Sequence, residues 1–391
     1  MKVLRRVVLG VLCLVVLHAI WSRTGRGVPS GPKEPYGLEV FVGGKDEGAG
    51  NLLGVQPYMV PADYASAERF RAKLDSYLAV AEAKGFVNAR TVAVFPEYVG
   101  TWLVALDEKT VMYEAPDIRT ALRLVALTRP LAFAGSFLTS AERDRTRGAS
   151  FRMKAAAMAA AYQDAFSRLA GGRRITIVAG SIVLPEPRVE QGRLVVGAGP
   201  LRNVSAVFGP DGRIESRLVR KAFLIEEEKS LLVAGPVGDL PVFETPAGRL
   251  GVLIGDDSWY PEAYRVLREK RVDLVAVPSY AAADDCWGRP WTGYDGAPAP
   301  PDVDPTDIAR LTEGQAWRRY ALSGRLQSSG ARAGVNVFLR GALWDLGDDG
   351  RSLAVVAADA LHPTEGSRRD GAALITEWLT AVPPEDASAR P

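Results

Sequence analysis

Short apolar runs rich in β-branched residues alternate along this chain with segments whose apolar positions recur at helical spacing. Each apolar run is four to nine residues long and is bounded by Gly, Pro or polar residues, which is typical of buried strands. The predicted strands cover residues 52–59, 91–95, 175–183, 205–208, 250–254, 274–277, 334–339 and 353–357. Strands that alternate with helices in this way predict an α/β fold.

The clearest helical pattern lies between the first two predicted strands. Residues 66–84 place Phe70, Leu74, Tyr77 and Leu78 on one face, and Gly85 follows as a natural C-terminal cap. Further helices are predicted over residues 149–169, 262–270 and 312–326, and a Pro- and Asp-rich surface loop over residues 293–307. We therefore expect a single domain over residues 51–385, followed by a short tail over residues 386–391.

The N-terminus carries a separate signal. Lys2, Arg5 and Arg6 precede an apolar run from Val7 to Trp21 that is interrupted only by Gly10 and His18. This pattern is typical of an export signal, and no small-x-small cleavage site follows it. We predict an uncleaved signal-anchor helix over residues 1–21 and a flexible linker over residues 22–50, with a cleaved signal peptide as the alternative.

The basic residues at the start of the chain also predict its orientation. Positive charges beside an apolar helix are retained in the cytoplasm. The body would then lie on the extracytoplasmic, periplasmic side of a bacterial-type inner membrane, attached to it through the N-terminal helix.

Net charge and composition disfavour several classes of partner and site. The chain has 48 Lys and Arg against 46 Asp and Glu, a net charge of +2, which disfavours nucleic acid as a partner. It has only two His and two Cys, too few for a His-ligated zinc site or for most His-based catalytic triads. We therefore expect no metal and no cofactor.

Polar residues follow three of the predicted strands. Glu97 ends the segment VAVFPEY (residues 92–98), and Lys221 opens the segment KAFLIEEE, which contains three consecutive glutamates. The third segment is GVLIGDDSWYPE, residues 251–262. Because α/β proteins place their sites at strand ends, these three segments are candidates for one site.

Together these segments resemble the nitrilase, or carbon-nitrogen hydrolase, superfamily over residues 50–380. The family motifs are approximately FPE, a Lys in a K-x-H-L context, and G-x-x-I-C-x-D-x-x-F-P-E. The segment LRNVSAVFGPDG (residues 201–212) resembles a hairpin of the same family. The resemblance implies a four-layer αββα sandwich and a homodimer or higher homo-oligomer. In active members it also implies cleavage of an amide or nitrile by a Glu-Lys-Cys triad, and hence a small amide- or carboxylate-type ligand.

Carried over residue by residue, the resemblance makes Glu97 the general base and Lys221 the group that stabilises the oxyanion. The position of the nucleophilic Cys is occupied by Gly255, and the motif continues in register on both sides of it. Phe223 replaces the His of the Lys motif, and Glu227 or Glu228 matches a downstream glutamate. Glycine has no atom that could attack a carbonyl carbon, so a covalent intermediate cannot form at this position.

Several substitutes for the nucleophile remain open. Asp256 is adjacent but is expected to project to the other side of the turn, Ser258 is expected to cap a helix, and Cys286 lies in the loop after the next strand. Glu97 could also activate water directly.

Two main hypotheses for the function follow. The first, which we favour, is a pseudoenzyme with a ligand-binding or scaffolding role. The second is an amidase-type hydrolase with a non-standard nucleophile or direct attack by water. Acyl transfer is a weaker third possibility.

Overall fold

The computed structural model of the chain describes residues 2–27, 37–356, 360–361 and 371–380. The strands are β1 (Leu38–Gly43), β2 (Asn51–Gln56), β3 (Tyr58–Met59), β4 (Thr91–Val94), β5 (Thr176–Val178), β6 (Ile182–Pro185), β7 (Arg188–Glu190), β8 (Arg193–Val195), β9 (Leu201–Ser205), β10 (Val207–Phe208), β11 (Val219–Arg220), β12 (Val242–Thr245), β13 (Gly248–Val252), β14 (Leu274–Ser279), β15 (Ala333–Phe338), β16 (Arg340–Gly341), β17 (Leu353–Val356), β18 (Ala360–Leu361) and β19 (Ala372–Trp378). The α-helices are α1 (Lys2–Arg23), α2 (Ala67–Ala83), α3 (Thr110–Tyr113), α4 (Ile118–Thr128), α5 (Pro130–Thr139), α6 (Arg145–Arg173), α7 (Pro261–Glu269), α8 (Glu313–Tyr320) and α9 (Leu322–Ser329).

The strands form two six-stranded sheets. The first has the order β1-β19-β2-β4-β5-β10, and the second has the order β12-β13-β14-β15-β17-β18. The centre of each sheet is parallel, through β2, β4 and β5 in the first and β13, β14 and β15 in the second. A smaller sheet, β11-β9-β6, leads the chain to Lys221.

The two sheets pack face to face around one apolar core. Leu52 and Val94 of the first sheet belong to the same buried cluster as Val252 and Val335 of the second. Successive residues of a strand point to opposite faces, so both faces of these near-continuous apolar strands must be covered.

Helices cover the outer face of each sheet. On the first sheet, Phe95 contacts Phe166 of α6, and Phe166 contacts Phe70 of α2. On the second sheet, Gly251 and Gly334 leave room for Leu267 of α7 and Leu322 of α9, respectively. The resulting order of layers is helix, sheet, sheet, helix, and the predicted α/β fold is confirmed.

Helix ends follow the local sequence signals in most places. The Ser66 side chain accepts a hydrogen bond from the Arg69 N–H at the start of α2, and Gly85 follows its end with φ 77°. The helix predicted over residues 312–326 is instead divided into α8 and α9, because Ala321 has extended backbone angles (φ −105°, ψ −147°).

The linker predicted over residues 22–50 is too long. Residues 38–43 form β1, which pairs in parallel with β19 at the edge of the first sheet, so this part of the chain belongs to the domain. The predicted tail over residues 386–391 and the end of the domain after residue 380 lie outside the described residues.

The predicted N-terminal helix is present as α1. It is 22 residues long, it is exposed to solvent along its length, and it is long and apolar enough to cross a membrane. The consecutive helices α4 and α5 pass the same test as a pair, although the chain bends by 111° between them.

The contact between the sheets gives a first prediction. A Cβ at Gly54 of β2 would lie 3.0 Å from Val335 Cγ2 and 3.1 Å from Val337 Cγ2. We expect Gly54→Ala to lower the free energy of unfolding by about 1–2 kcal/mol, because the packed core cannot easily yield. Chemical denaturation of the detergent-solubilised full chain measures this.

Gly172→Ala, at an exposed helical position with nothing near the added methyl group, is the control. It should leave the stability unchanged or raise it slightly. Equal effects of the two substitutions would contradict the described packing of the sheets.

Candidate functional site

Three polar segments converge where β4, β11 and β13 end. After β4 the Phe95 N–H still donates to the Val178 carbonyl oxygen (3.0 Å), and the chain then turns sharply. Tyr98 adopts φ 61°, and its N–H is bound by Ser181 Oγ at 2.8 Å. This turn directs Glu97 into the protein, where it is 2% exposed.

Lys221 follows β11 directly and is also 2% exposed. Its Nζ lies 3.0 Å from Glu97 Oε1, 2.7 Å from Glu228 Oε1 and 2.7 Å from Asp256 Oδ2. The Nζ donates hydrogen bonds to Glu97 and Glu228, and Asp256 is its third ion-pair partner. We call Glu97, Lys221, Glu228 and Asp256 the ion cluster.

The position of Asp256 corrects one expectation. Asp256 was expected to project to the other side of the turn, but its carboxylate is paired with Lys221. Asp256 therefore occupies one side of the ammonium that would otherwise face an incoming oxyanion.

Further hydrogen bonds fix the carboxylates of the ion cluster. Asn203 Nδ2 donates to Glu97 Oε1 at 2.8 Å, and the Tyr98 hydroxyl donates to Glu228 Oε1. The backbone N–H of Ile225 donates to Glu228 Oε2 at 3.1 Å. Asn203 lies in the hairpin motif already noted in the sequence, but its contact with Glu97 was not predicted.

Asp257 links two of the converging segments. It is fully buried, and its Oδ1 accepts the backbone N–H groups of Ala222 (2.9 Å) and Phe223 (2.8 Å). Its Oδ2 accepts the N–H of Ile254 at 3.3 Å. The carboxylate therefore ties the backbone after Lys221 to the turn that contains Gly255.

Gly255 begins this turn with φ 50°, in the left-handed region that side chains other than that of glycine rarely adopt. A Cβ at this residue would lie 2.4 Å from Glu97 Oε2 and 3.0 Å from Glu97 Cδ. The Glu97 carboxyl therefore takes up the space that any side chain at residue 255 would need.

Burial sets the protonation states of the ion cluster. Desolvation raises the pKa of Glu97 to about 8, although Lys221 acts in the opposite direction. For Lys221, burial alone would lower the pKa, but Asp256, Glu228 and Glu97 together raise it well above its usual value. At neutral pH the cluster thus holds a charged ammonium and a largely protonated Glu97.

The other proposed nucleophiles lie in different surroundings. Burial raises the pKa of the Cys286 thiol to about 12, with Asp349 and Glu313 adding to the shift, whereas a nucleophilic cysteine needs a lowered pKa. Ser258 does not cap a helix, because its hydroxyl donates to the Gly255 carbonyl oxygen at 2.8 Å.

A small cavity of about 40 Å³ adjoins the ion cluster. Asp256 lines it together with Asp295 and Glu313, and Phe223 and Tyr260 stack on each other in its wall with ring centroids 3.8 Å apart. Burial raises the pKa of Glu313 to about 7, and Asp295 and Asp256 contribute. The cavity is far smaller than the roughly 300–1,000 Å³ of a typical small-molecule site.

The structure thus brings together Glu97, Lys221, Glu228, Asp256 and Gly255 from the predicted site residues. Cys286 is not among the residues that line the cavity. Among the described residues, no group of three or more His, Cys, Asp or Glu is arranged to hold a metal ion.

A four-layer αββα sandwich with a buried Glu-Lys pair at its strand ends is the arrangement that the sequence motifs predict for a carbon-nitrogen hydrolase. The sequence profile described as carbon-nitrogen hydrolase matches residues 60–296. The chain belongs to the carbon-nitrogen hydrolase family.

Solved structures of the amidase from Nesterenkonia sp. AN1 share this fold. A double mutant in complex with acrylamide is 16% identical and has a TM-score of 0.50; the match covers 89% of this chain and 97% of that one. A Cys-to-Ser mutant of the same amidase is also 16% identical with a TM-score of 0.50, covering 85% and 92% of the two chains. A search of curated protein sequences finds no significant match.

The raised pKa of Glu97 gives a second prediction. A native-state pKa near 8 against about 4.5 in the unfolded chain means that the folded state holds the proton more tightly. The stability from this proton is full below pH 4.5 and is lost as the pH rises from 4.5 to 8. Glu97→Gln mimics the protonated form. We expect it to be neutral at pH 5 and to raise the free energy of unfolding by about 1–3 kcal/mol at pH 8.5.

Denaturation of the detergent-solubilised full chain at both pH values measures this difference. Glu262→Gln, at an exposed residue of α7, is the matched control and should show no pH-dependent gain. A loss of stability in Glu97→Gln that grows with pH would show that Glu97 is ionised in the folded protein.

Proposed function

We propose that this protein is a membrane-anchored carbon-nitrogen hydrolase-like pseudoenzyme that binds a small ligand or acts as a scaffold. The observation that carries the proposal is the space at Gly255. The residue at the family's nucleophile position has no side chain, and the Glu97 carboxyl fills the volume that a Cβ would occupy.

The contacts of the Lys221 ammonium also support the pseudoenzyme proposal. An oxyanion is stabilised by N–H donors that are free to bind it. Lys221 Nζ already donates to Glu97 and Glu228 and is paired with Asp256, so an oxyanion would have to compete with three carboxyl groups.

An active amidase that uses Glu97 to activate water is the alternative. The retained pairing of Glu97 and Lys221 favours it. However, a base with a pKa near 8 is mostly protonated at pH 7, and a protonated carboxyl cannot accept the proton of an attacking water. The geometry therefore supports the non-catalytic role better.

The charged residues that line the cavity indicate the charge of its ligand. Asp256, Asp295 and Glu313 would repel a carboxylate, whereas the stacked rings of Phe223 and Tyr260 and the three acids suit a positively charged group. Of the two ligand types expected from the resemblance, we therefore propose an amide, and specifically one that carries an ammonium group. Its entry requires the cavity to widen.

We further propose that α1 anchors the protein, with the domain on the extracytoplasmic side of a bacterial-type inner membrane. Lys2, Arg5 and Arg6 at the N-terminal end of the helix support this orientation. We also propose that the protein forms a homodimer or higher homo-oligomer, and that neither nucleic acid nor a cofactor is its partner.

A third prediction tests the loss of catalysis. Gly255→Cys combined with Asp256→Ala supplies a thiol and removes one carboxylate from beside Lys221. We expect the parent to be inactive on a panel of small amides, and the double variant to hydrolyse at least one of them slowly but measurably. The measurement is ammonia release by the purified full chain at about pH 8.5, because Glu97, with its pKa near 8, can accept a proton only when ionised.

Gly255→Ala combined with Asp256→Ala is the matched control, because it introduces the same Cβ without a thiol. Its thermal unfolding shows whether the domain accepts a side chain at residue 255. Turnover by the parent that Glu97→Gln abolishes would contradict the pseudoenzyme proposal and support attack by water. Turnover that Cys286→Ser abolishes would identify Cys286 as the nucleophile.

A fourth prediction concerns the anchor. We expect the mature protein to retain Lys2–Arg23 and to remain with the membrane fraction after washing with high salt and alkaline carbonate. Intact mass spectrometry of the purified protein tests the N-terminus directly. A soluble protein whose sequence begins between residues 22 and 30 would show that the segment is a cleaved signal.

A further inference from the structure

The helix α5 is apolar and unusually exposed. Its sequence, PLAFAGSFLT, has no charged residue, and none of its side chains is buried. Leu131 is 89% exposed and Leu138 is 78% exposed. An apolar surface of this kind on a folded protein is typical of a binding or membrane contact.

A short series of contacts connects the end of α1 with the start of α5. Lys109 Nζ donates to the Trp21 carbonyl oxygen at 2.6 Å and also to that of Thr24, at the C-terminal end of α1. The neighbouring Glu108 lies 4.0 Å from Arg129, the residue immediately before α5. The end of α1 and the start of α5 are therefore on the same side of the domain.

Further hydrogen bonds join the residues after α1 to the domain. The Arg26 guanidinium donates to the Asp107 carbonyl oxygen, and Thr110 Oγ1 donates to the Gly27 carbonyl oxygen at 2.6 Å. These bonds tie the chain after α1 to the segment that precedes α3. The C-terminal end of α1 is thus tied to residues 107–110 by direct contacts on both sides of Lys109.

The apolar surface continues beyond α5 and has a basic border. Leu127 of α4 and Val111 of α3 are also exposed. Arg129 precedes α5, and the Arg145 guanidinium lies over the Phe137 ring, 4.5 Å from its centre. Arginines that border an apolar face suit the boundary between acyl chains and anionic headgroups.

The geometry favours a helix that lies in the membrane surface over one that crosses it. Ten residues of α-helix are about 15 Å long, half of the roughly 30 Å hydrocarbon core. The preceding α4 is held by buried Leu122 and Val125, and the chain bends by 111° before α5. The pair therefore cannot extend into a single span without leaving the domain.

We propose that α5 inserts its exposed apolar face into the lipid surface beside α1, as a second membrane contact of the domain. The inference rests on the proposed anchoring by α1. A second copy of the chain could also cover an exposed apolar helix, but continuity with the end of the anchor and the basic border favour lipid.

Site-specific fluorescence quenching tests the proposal in the full chain. In a background with Cys13→Ser and Cys286→Ser, a single cysteine is introduced by Leu138→Cys and labelled with an environment-sensitive nitrobenzoxadiazole dye. The protein is reconstituted into vesicles of zwitterionic and anionic phospholipid, with and without nitroxide-labelled lipid. We expect at least a twofold loss of fluorescence at residue 138 when the nitroxide lipid is present.

Two further labelled positions serve as controls. Leu12→Cys in α1 reports whether the anchor is in the bilayer. Arg213→Cys is the negative control, because Arg213 is exposed and follows Gly212, which contacts Gly171 near the C-terminal end of α6. That end is about 40 Å along α6 from the end that joins α5.

Quenching at residues 12 and 138, but not at residue 213, supports the proposal. Quenching at residue 12 alone would overturn it while leaving the anchor intact. No quenching at either position would overturn both the anchor and the second contact. A blue-shifted dye at residue 138 that lipid does not quench, with a signal that depends on protein concentration, would show that a second copy covers α5.

Discussion

The buried ammonium of Lys221 is the constraint on which the site depends. A charge removed from water is tolerated only when opposite charges and hydrogen bonds replace the solvent. Here the compensation comes from three separate parts of the chain: the turn after β4, the glutamate run after β11, and the turn after β13. Burial, with the charges of Glu228 and Asp256 adding to it, raises the pKa of Glu97 and favours its protonated form. The same arrangement holds the three segments together and surrounds the ammonium with ion-pair partners.

Under the proposed function, the ion cluster would keep its contribution to stability after the loss of catalysis. Active sites are commonly strained because charged groups face an empty pocket, and filling that pocket stabilises the fold at the expense of function. The pairing of Asp256 with Lys221 and the Glu97 carboxyl beside Gly255 are contacts that fill a site in this way. They give Glu97 and Lys221 a role in packing and charge balance that does not depend on catalysis.

The periodic parts of the chain were predictable from its sequence, whereas contacts between distant segments were not. The strand predicted over residues 274–277 and the helix predicted over residues 66–84 follow from apolar periodicity and the Gly85 cap. Residues 130–139 gave no prediction, because α5 is apolar on all sides and lacks the amphipathic spacing of a helix packed on a core. The strand β1 was taken for linker because it lies between Gly- and Pro-rich segments and gains its stability from β19, more than 300 residues away.

In the site, the convergence of Glu97, Lys221 and Gly255 followed from the resemblance of three motifs. The direction of Asp256 did not, because the side on which a residue of a tight turn projects depends on backbone angles that the sequence does not specify. The contact of Asn203 with Glu97 joins residues 106 positions apart, and the pattern around Asn203 indicated only a hairpin.

The geometry at Gly255 has a consequence for the ancestry of the protein. A glycine codon of the form GGU or GGC becomes a cysteine codon through a single base change, so the genetic distance to a restored nucleophile is short. The structural obstacle is larger. The new side chain would need an unfavourable backbone angle, and its space is already taken by a carboxyl group that Lys221 and Asn203 hold in place. Under the proposed function, a change to cysteine at this codon alone would therefore bring a cost in folding before any gain in catalysis. Glycine would be entrenched at this position by its neighbours, and a catalytic cysteine would require at least one compensating change, for which Asp256 is the first candidate.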